Sequence, residues 1–548
     1  MLQIKDVTIT HRKDLKDLIR DCSFSLRPGD KAVLIGEEGN GKSTLLKWIY
    51  DPSLIEDYAD VTGSRILTGE KLGYLAQELP PENRDQTVYD YFTKDLSFFD
   101  HSPGELADLA RRTGLDLDVY YREQLMKTLS GGEKVKVQLL KVLLEDPTVL
   151  LLDEPSNDLD LETLDMLERL IRNFQGIVLF ISHDEVLIEN TANVVIHLEQ
   201  VYQKRECRLQ VARMSYPDYV RMRQDLFVRQ EELAANDLRQ KRIRDEKYRR
   251  IYEKVEHAQA VITRQDPPGG RLLKKKMHAV KAMGARFAKE DEQMTDRPIR
   301  EEAIDFSFGE LASPIPSGKT VLDYQLDALC VPGSGRLLSK EIRLVVRGPE
   351  KVGIIGKNGA GKTTLLRLIA EALLQRKDIS AIYMPQQYED QLDPEKTPVD
   401  YLVSGTDLRK VRITDPHASA DQRRQLADAQ KENGPTEKMW RTHVETYLAA
   451  LRFTRDEMSH PIRALSGGQK AKLFLLKMTL SPANVLILDE PTRNFSPLSG
   501  PVIRRMLSSF PGAIISISHD RKYLTEVCDT LYQLDDTGLH LDVFSRLQ

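Results

Sequence analysis

The sequence predicts an α/β protein: two open-sheet domains of one kind, joined by a long α-helical hairpin. Three observations carry this. Short apolar runs rich in Val, Ile and Leu lead into glycine loops that open helices, the strand–loop–helix order of a wound parallel sheet. The motifs built this way recur in the second half of the chain in the same order. Between the copies, from Tyr216 to Lys289, lies a charged stretch whose apolar residues are spaced three and four apart.

At 548 residues the chain holds more than one core. With 41% hydrophobic and 30% charged residues, disorder is not its default. Apolar runs such as Val149–Leu152 and Ile177–Ile181 fall far short of the ~20 residues a membrane helix needs. The N-terminal Met1-Leu2-Gln3-Ile4-Lys5-Asp6 has no signal-peptide pattern, so no membrane contact is expected. Cys22, Cys207, Cys330 and Cys528 are scattered without a CxxC pair. That argues against a disulfide framework, a zinc site or an iron–sulfur cluster, and fits a reducing cytoplasm.

In the first repeat a strand over Leu2–Thr8 is followed by another over Lys31–Ile35. The second runs into Gly36-Glu37-Glu38-Gly39-Asn40-Gly41-Lys42-Ser43 and a helix start at Thr44-Leu45-Leu46. This is a phosphate-binding loop between strand and helix. Its glycines let backbone N–H groups wrap phosphate at a helix N-terminus. Lys42 is placed to reach the β and γ phosphates, and Ser43 to hold Mg²⁺.

The loop returns as Gly356-Lys357-Asn358-Gly359-Ala360-Gly361-Lys362-Thr363, followed by Thr364 and preceded by a strand over Lys351–Ile355, an offset of 320 residues. Three further pairs share an offset of 336. They are Leu129-Ser130-Gly131-Gly132 with Leu465-Ser466-Gly467-Gly468, Leu152-Asp153-Glu154-Pro155 with Leu488-Asp489-Glu490-Pro491, and Ile181-Ser182-His183-Asp184 with Ile517-Ser518-His519-Asp520. Equal offsets mean an internal duplication, with all length change placed before the second Leu-Ser-Gly-Gly.

These residues resemble the ATP-binding cassette (ABC) superfamily over both copies, roughly residues 1–205 and 300–548. The resemblance implies an ATPase using ATP and Mg²⁺. It implies that Asp153 and Asp489 assist the metal together with Ser43, Thr363 and the Q-loop residues Gln77 and Gln386. Glu154 and Glu490 would polarise the attacking water, and His183 and His519 would be the switch histidines at the γ-phosphate. In the superfamily two cassettes close head to tail, each signature segment capping the other's nucleotide. One composite site then uses Lys42, Glu154 and Ser466-Gly467-Gly468, and the other uses Lys362, Glu490 and Ser130-Gly131-Gly132. A single chain forms both within itself, so a monomer is expected. The copies differ after the Asp-Glu-Pro. Ser156-Asn157-Asp158-Leu159-Asp160 is close to the family's D-loop, whereas Thr492-Arg493-Asn494-Phe495-Ser496 lacks the Leu-Asp pair. The aromatic residue that stacks on adenine in the family has no assigned position in either copy.

The stretch between the repeats (206–299) reads as two antiparallel helices. Tyr248, Ile251, Val255, Ala258 and Ile262 form an apolar stripe on a first helix running to Thr263, about 70 Å at ~1.5 Å per residue. The pattern stops at Asp266-Pro267-Pro268-Gly269-Gly270, the expected tip. It resumes at Leu273, Met277, Val280 and Phe287. From Arg239 to Lys289 there are 16 Lys and Arg against 5 Asp and Glu, a local +11 in a chain of net −5, which leaves −16 elsewhere. A basic hairpin on an acidic body is the electrostatic footprint of contact with a phosphate backbone. Arg242, Arg244, Lys247, Arg249, Arg250, Lys274, Lys275 and Lys276 are the candidate RNA contacts.

Tandem cassettes, no membrane span and a charged helical linker together resemble the ABC-F family, over nearly the whole chain. That resemblance implies a cytoplasmic partner, the ribosome, with the linker entering toward the P-site tRNA and the peptidyl-transferase region and contacting rRNA and tRNA. Gln77 and Ser130 are 53 residues apart, so the first cassette carries no inserted arm, and the linker is long. Both features resemble the antibiotic-resistance members more than the housekeeping translation factors, which stand as the alternative. A tandem ATPase subunit of a membrane importer is the alternative of another class, and it does not need a long basic hairpin. The recycling and DNA-repair types carry iron–sulfur or zinc modules that four scattered cysteines do not supply. The second cassette has 27 extra residues before its signature, a polar surface elaboration around Thr406–Met439.

Overall fold

In the first cassette β1 (Leu2–His11), β2 (Lys16–Leu26) and β4 (Ala59–Leu67) form an antiparallel sheet ordered β2-β1-β4. The computed structural model describes residues 1–13, 15–157, 159–201, 206–261, 267–291, 294–295, 308, 314–333, 335–404 and 436–542. A second sheet contains β3 (Lys31–Ile35), β5 (Leu72–Leu75), β6 (Val149–Asp153), β7 (Ile177–Ile181), β8 (Val194–Val201) and β9 (Glu206–Ala212) in the order β5-β6-β7-β3-β8-β9. Its strands are parallel except for the last pair. β3, β6 and β7 are buried along their whole length, as their unbroken apolar sequences require of strands covered on both faces.

Helix α1 (Lys42–Tyr50) follows β3. A helical layer follows, with α2 (Val88–Thr93), α3 (Pro103–Arg112) and α4 (Gly131–Leu144), and its own core includes Phe92, Phe98 and Tyr120. α5 (Leu161–Asn173) and α6 (Glu185–Thr191) complete the cassette. Because β9 pairs with β8, the first sheet runs past the boundary expected at residue 205.

The second cassette repeats the plan. Here β10 (Thr320–Cys330) pairs with β11 (Leu337–Arg347). The main sheet contains β12 (Lys351–Ile355), β13 (Ala381–Met384), β14 (Val485–Asp489), β15 (Ala513–Ile517), β16 (Thr530–Leu534) and β17 (Leu539–Asp542), ordered β13-β14-β15-β12-β16-β17. The repeat offsets hold strand by strand: β3 and β12 differ by 320, and β6 and β14 by 336. Of the expected elaboration around Thr406–Met439, residues 405–435 lie outside the described residues, and Thr436 caps the helix Glu437–Ala450.

The cassettes meet through charge. Arg504, on the helix Gly500–Ser508, donates to both Glu185 carboxylate oxygens at 2.7 and 3.1 Å. Both side chains are nearly closed to water, at 3% and 6% exposure. Lys522 adds a 3.2 Å contact to Glu185, and Arg521 reaches Asp165, Glu168 and Asp184 at 3.3 to 3.5 Å. In these contacts the first cassette contributes the acids and the second the bases.

The helical unit, Pro217–Arg300, is the second of the chain's two compact units. It consists mainly of α7 (Tyr216–Val261) and α8 (Pro267–Asp291). The two are antiparallel: Lys241 pairs with Asp291 at 2.9 Å, and the Tyr248 and Phe287 rings meet at 5.9 Å. At Gly284 a Cβ would come within 2.6 Å of the Tyr248 hydroxyl, so a glycine there lets the helices approach.

Two expectations are corrected. Pro267-Pro268-Gly269-Gly270 does not separate the helices but forms the first turn of α8, where a proline's missing N–H costs nothing. Asp266, like the rest of 262–266, lies outside the described residues. Ile251 is 44% exposed, and Tyr252 takes its place on the inner stripe with Tyr248 and Val255.

Removing one partner of a buried ion pair strands the other charge, at a cost of about 3–5 kcal/mol. Arg504→Met should therefore lower the urea midpoint of cassette unfolding. The double change Glu185→Leu with Arg504→Met should recover most of that loss.

Candidate nucleotide sites

Each phosphate loop leaves the carboxyl end of a central strand, β3 or β12, which is where ligands bind in open α/β sheets. Gly36 and Gly356 allow the loop to start: a Cβ would stand 2.3 Å from the Leu198 carbonyl oxygen in one cassette and 2.4 Å from that of Leu534 in the other. Gly41 and Gly361, at φ 80° and 97°, turn the chain into α1 and α9 (Lys362–Leu374). Gly39 and Gly359 both have φ 82°. Lys42 Nζ donates to the carbonyls of Gly36 and Glu37 at 2.9 and 2.8 Å, and Lys362 Nζ to those of Gly356 and Lys357 at 2.8 and 3.0 Å. Ser43, Thr44, Thr363 and Thr364 form the first helical turns.

In each copy the hydroxyl residue expected at a metal touches the expected aspartate. Ser43 Oγ donates to Asp153 Oδ1 at 2.8 Å, and the Tyr74 hydroxyl to Asp153 Oδ2 at 3.2 Å. In the second cassette Thr363 bonds Asp489, while Asp489 Oδ2 is buried without a hydrogen-bond partner. Burial pushes Asp489 up to about 6, against the Thr363 hydroxyl and the charges of Arg367, Lys362 and Arg493. A hydroxyl beside a buried carboxylate with a spare oxygen is a donor set that fits Mg²⁺.

Glu154 and Glu490 follow their strands in left-handed conformations, φ 49° and 53°, unusual for a residue other than glycine. Their N–H groups donate to Ile181 and Ile517 carbonyls at 3.1 and 2.9 Å, which holds both turns to the neighbouring strand. The same strained turn is therefore built at the same place in both copies. Gln77 Nε2 donates to Glu154 at 2.8 Å, and His183 Nε2 stands 3.5 Å from the same carboxylate. His519 Nε2 is 3.8 Å from Glu490.

The surroundings of the two glutamates shift their pKa values in opposite directions. Burial raises Glu154, but the His183 ring, Lys42 and Asn157 outweigh it and bring its pKa to about 2. Glu490 is pushed up to about 8 by burial and by the Asp489 charge, against the His519 N–H, Lys362 and Arg493. His519 is pushed down to about 3 by burial and by Lys362, with Asp160 opposing.

Both signature segments cap helices. Ser130 accepts from the Glu133 N–H at the start of α4, and Ser466 from the Gln469 N–H at the start of the helix Gly467–Thr479. Gly131-Gly132 and Gly467-Gly468 supply the first-turn N–H groups of those helices. The first phosphate loop touches the second signature helix: the Glu38 carboxylate accepts from the Gly468 N–H, and Lys472 donates to Glu37 at 2.6 Å. His183 Nδ1 lies 2.6 Å from the Phe495 carbonyl, so the second cassette's altered loop still reaches His183 of the first. Asp158 lies outside the described residues.

The second site opens into a cavity of about 310 Å³ lined by Asn358, Lys362, Gln386, Asp489, Glu490 and His519. Val331, Arg336 and Leu338, near the β10–β11 turn, line it as well. No motif marked these three. They sit about 30 residues upstream of Lys362 and include no aromatic ring, so a search for an adenine-stacking ring passes over them.

Of the eight candidate RNA contacts, seven are exposed. Arg244 is the exception. It lies over the Phe287 ring at 4.5 Å and pairs with Glu290 and Asp291, clamping the hairpin. Arg249 and Arg250 pair with Glu253 and Glu246 on their own helix face but stay 79% and 75% exposed.

A family model described as ABC transporter matches residues 19–157 and 339–493, more than half of the chain. The chain belongs to that family. It is of the ABC-F type, with tandem cassettes, and among the described residues no helix is long and apolar enough to cross a membrane. It is 28% identical to the ATP-binding protein Uup of Escherichia coli, over 92% of this chain and 76% of that one. With the ribosome protection protein VmlR of Bacillus subtilis it shares 27% identity, over 97% and 87%. With the energy-dependent translational throttle protein EttA of Haemophilus influenzae it shares 26%, over 95% and 90%. Among solved structures, an archaeal ribosome recycling factor in complex with a ribosomal stalk protein is similar in fold, with a TM-score of 0.57 at 16% identity over 98% and 89% of the two chains.

Gly36→Ala should push the first phosphate loop off Leu198, an overpacking cost of about 1–3 kcal/mol. Binding of a fluorescent ATP analogue to the first cassette should weaken correspondingly, with circular dichroism unchanged.

Proposed function

We propose that this chain is a cytoplasmic ATPase that binds the ribosome and acts there through its basic hairpin. The observation that carries the reading is the +11 stretch between two cassettes, each with a full set of ATP motifs. Relatives of similar length named for ribosome protection and for throttling translation support it. In this reading Lys42, Glu154 and the Ser466 segment form one composite site, and Lys362, Glu490 and the Ser130 segment the other.

Within each site the phosphate-loop lysine and N–H groups hold the β and γ phosphates, and Glu154 or Glu490 orients the attacking water. Gln77 and His183, and Gln386 and His519 in the second site, position that water and the terminal phosphate. Mg²⁺, held by Ser43 and Asp153 or by Thr363 and Asp489, neutralises phosphate charge when bound.

Nucleotide closes the cassettes and sets the hairpin for entry toward the P-site tRNA and the peptidyl-transferase region, and hydrolysis releases the protein. Arg242, Lys247, Arg249, Arg250 and Lys274–Lys276 contact rRNA or tRNA backbone. The armless first cassette and long linker favour protection of ribosomes from antibiotics over a housekeeping role.

The direct test is co-sedimentation of the Glu154→Gln, Glu490→Gln protein with 70S ribosomes. Pelleting with ATP and not without nucleotide is the expected result; protein left in the supernatant under both conditions rejects the reading. ATP hydrolysis by the same protein should fall by about 10²–10⁴-fold, the range a general base supplies. Replacing Lys274, Lys275 and Lys276 by Gln should reduce the salt dependence of ribosome binding. Shortening Asp266–Gly270 should leave binding largely intact but abolish protection in a drug-inhibited translation assay.

A further inference from the structure

The two phosphate loops differ in charge at two positions. At the repeat offset of 320, Glu37 corresponds to Lys357 and Glu38 to Asn358. Two extra carboxylates in a loop that binds a polyphosphate work against its ligand, and the structure gives them a place to go. Glu38 reaches across to the signature helix of the other cassette and accepts from the Gly468 N–H. It packs tightly over the two signature glycines: a Cβ on Gly467 would lie 3.0 Å from one carboxylate oxygen and a Cβ on Gly468 2.8 Å from the other. Glu37 is held beside it by Lys472 of the same helix, a largely buried contact at 13% and 16% exposure. In the second loop Lys357 faces Glu162 at 3.6 Å, and both of those side chains are largely exposed.

The first-turn N–H groups of the signature helix are an anion site, and in the site reading above they receive the terminal phosphate of ATP. We propose that Glu38 sets the ATP affinity of the first composite site by occupying the signature anion position that the γ-phosphate must take. ATP enters there only by displacing a carboxylate already docked. ADP, which has no third phosphate, leaves Glu38 in place. The Lys362 site carries no such competitor in its loop and fills first. The first site's contact across the cassettes therefore persists with ADP, and the second site is where the pair of cassettes first responds to ATP.

The proposal rests on the ATP-site assignment, so the test measures both. The full chain is titrated calorimetrically with β,γ-imido-ATP and, separately, with ADP, each with Mg²⁺. Lys42→Ala identifies which class of binding belongs to the first loop. Wild-type protein should show two classes for the ATP analogue, the first site weaker by about tenfold, the scale of one hydrogen bond to a charged group. Glu38→Gln should tighten that class by about tenfold and leave ADP binding unchanged. Asn358→Glu, the reciprocal change, should weaken the Lys362 class, and it reads out independently of how Glu38→Gln folds. If Glu38→Gln leaves the first site unchanged or weaker for the analogue, the proposal fails. If it tightens ADP and the analogue alike, the effect is general loop charge and the proposal also fails. No binding of either nucleotide to wild-type protein would overturn the ATP-site assignment together with it.

Discussion

Glu185 of the first cassette and Arg504 of the second meet where water is excluded, and the rest of the molecule's chemistry depends on their meeting. The first phosphate loop lies on one cassette and the signature helix it touches, through Glu38 and Gly468, lies on the other. That contact exists only when the cassettes dock. A buried charge pair adds little net stability compared with apolar packing, but its separation is costly, so it favours one alignment over others. Lys522 and Arg521 extend the pattern, with acids on one side and bases on the other. Two copies of the first cassette could not reproduce it, since acid would then face acid. The duplication has become two complementary faces.

The same divergence appears within the sites. The strands, the strained turn after each Asp-Glu and the capped signature helices are repeated closely. The electrostatic surroundings are not. Glu154 has Gln77, Asn157 and His183 around its carboxylate, which hold its pKa low, whereas burial and the neighbouring Asp489 push Glu490 up. The loop after Pro491 has Phe495 and Ser496 where the first copy has Leu159 and Asp160. Asp160 lends its charge to His519 and Lys362 in the second site. At the first site the matching position is the uncharged Ser496, and the Phe495 backbone makes the contact to His183. The two backbones are alike and their electrostatic surroundings are not.

The hairpin shows how far a charge count reaches. Its surplus of Lys and Arg was readable at once, and most of those side chains are exposed. Arg244 was not readable, because only the facing helix reveals that its partners are Phe287, Glu290 and Asp291. Ile251 and Tyr252 are adjacent and both apolar, so periodicity alone could not decide which faces inward; the antiparallel partner does. Pro267 and Pro268 were legible as an interruption, but whether prolines end one helix or begin the next depends on which side the hydrogen bonds form.

By itself the sequence determined the duplication, the strand–loop–helix units, the identity of the phosphate-loop, Asp-Glu and histidine residues, and the basic hairpin. These follow from local rules: apolar runs bury, glycine loops expose N–H groups, and three-four spacing makes a helix face. Only the tertiary structure decided that Arg504 finds Glu185, that Glu38 docks on Gly468, that Val331, Arg336 and Leu338 line the second site's cavity, and that the surroundings of Glu154 and Glu490 shift their pKa values in opposite directions. Each of these joins residues far apart in the chain, and burial and opposing charge act through space. Spacing along the backbone has no record of them.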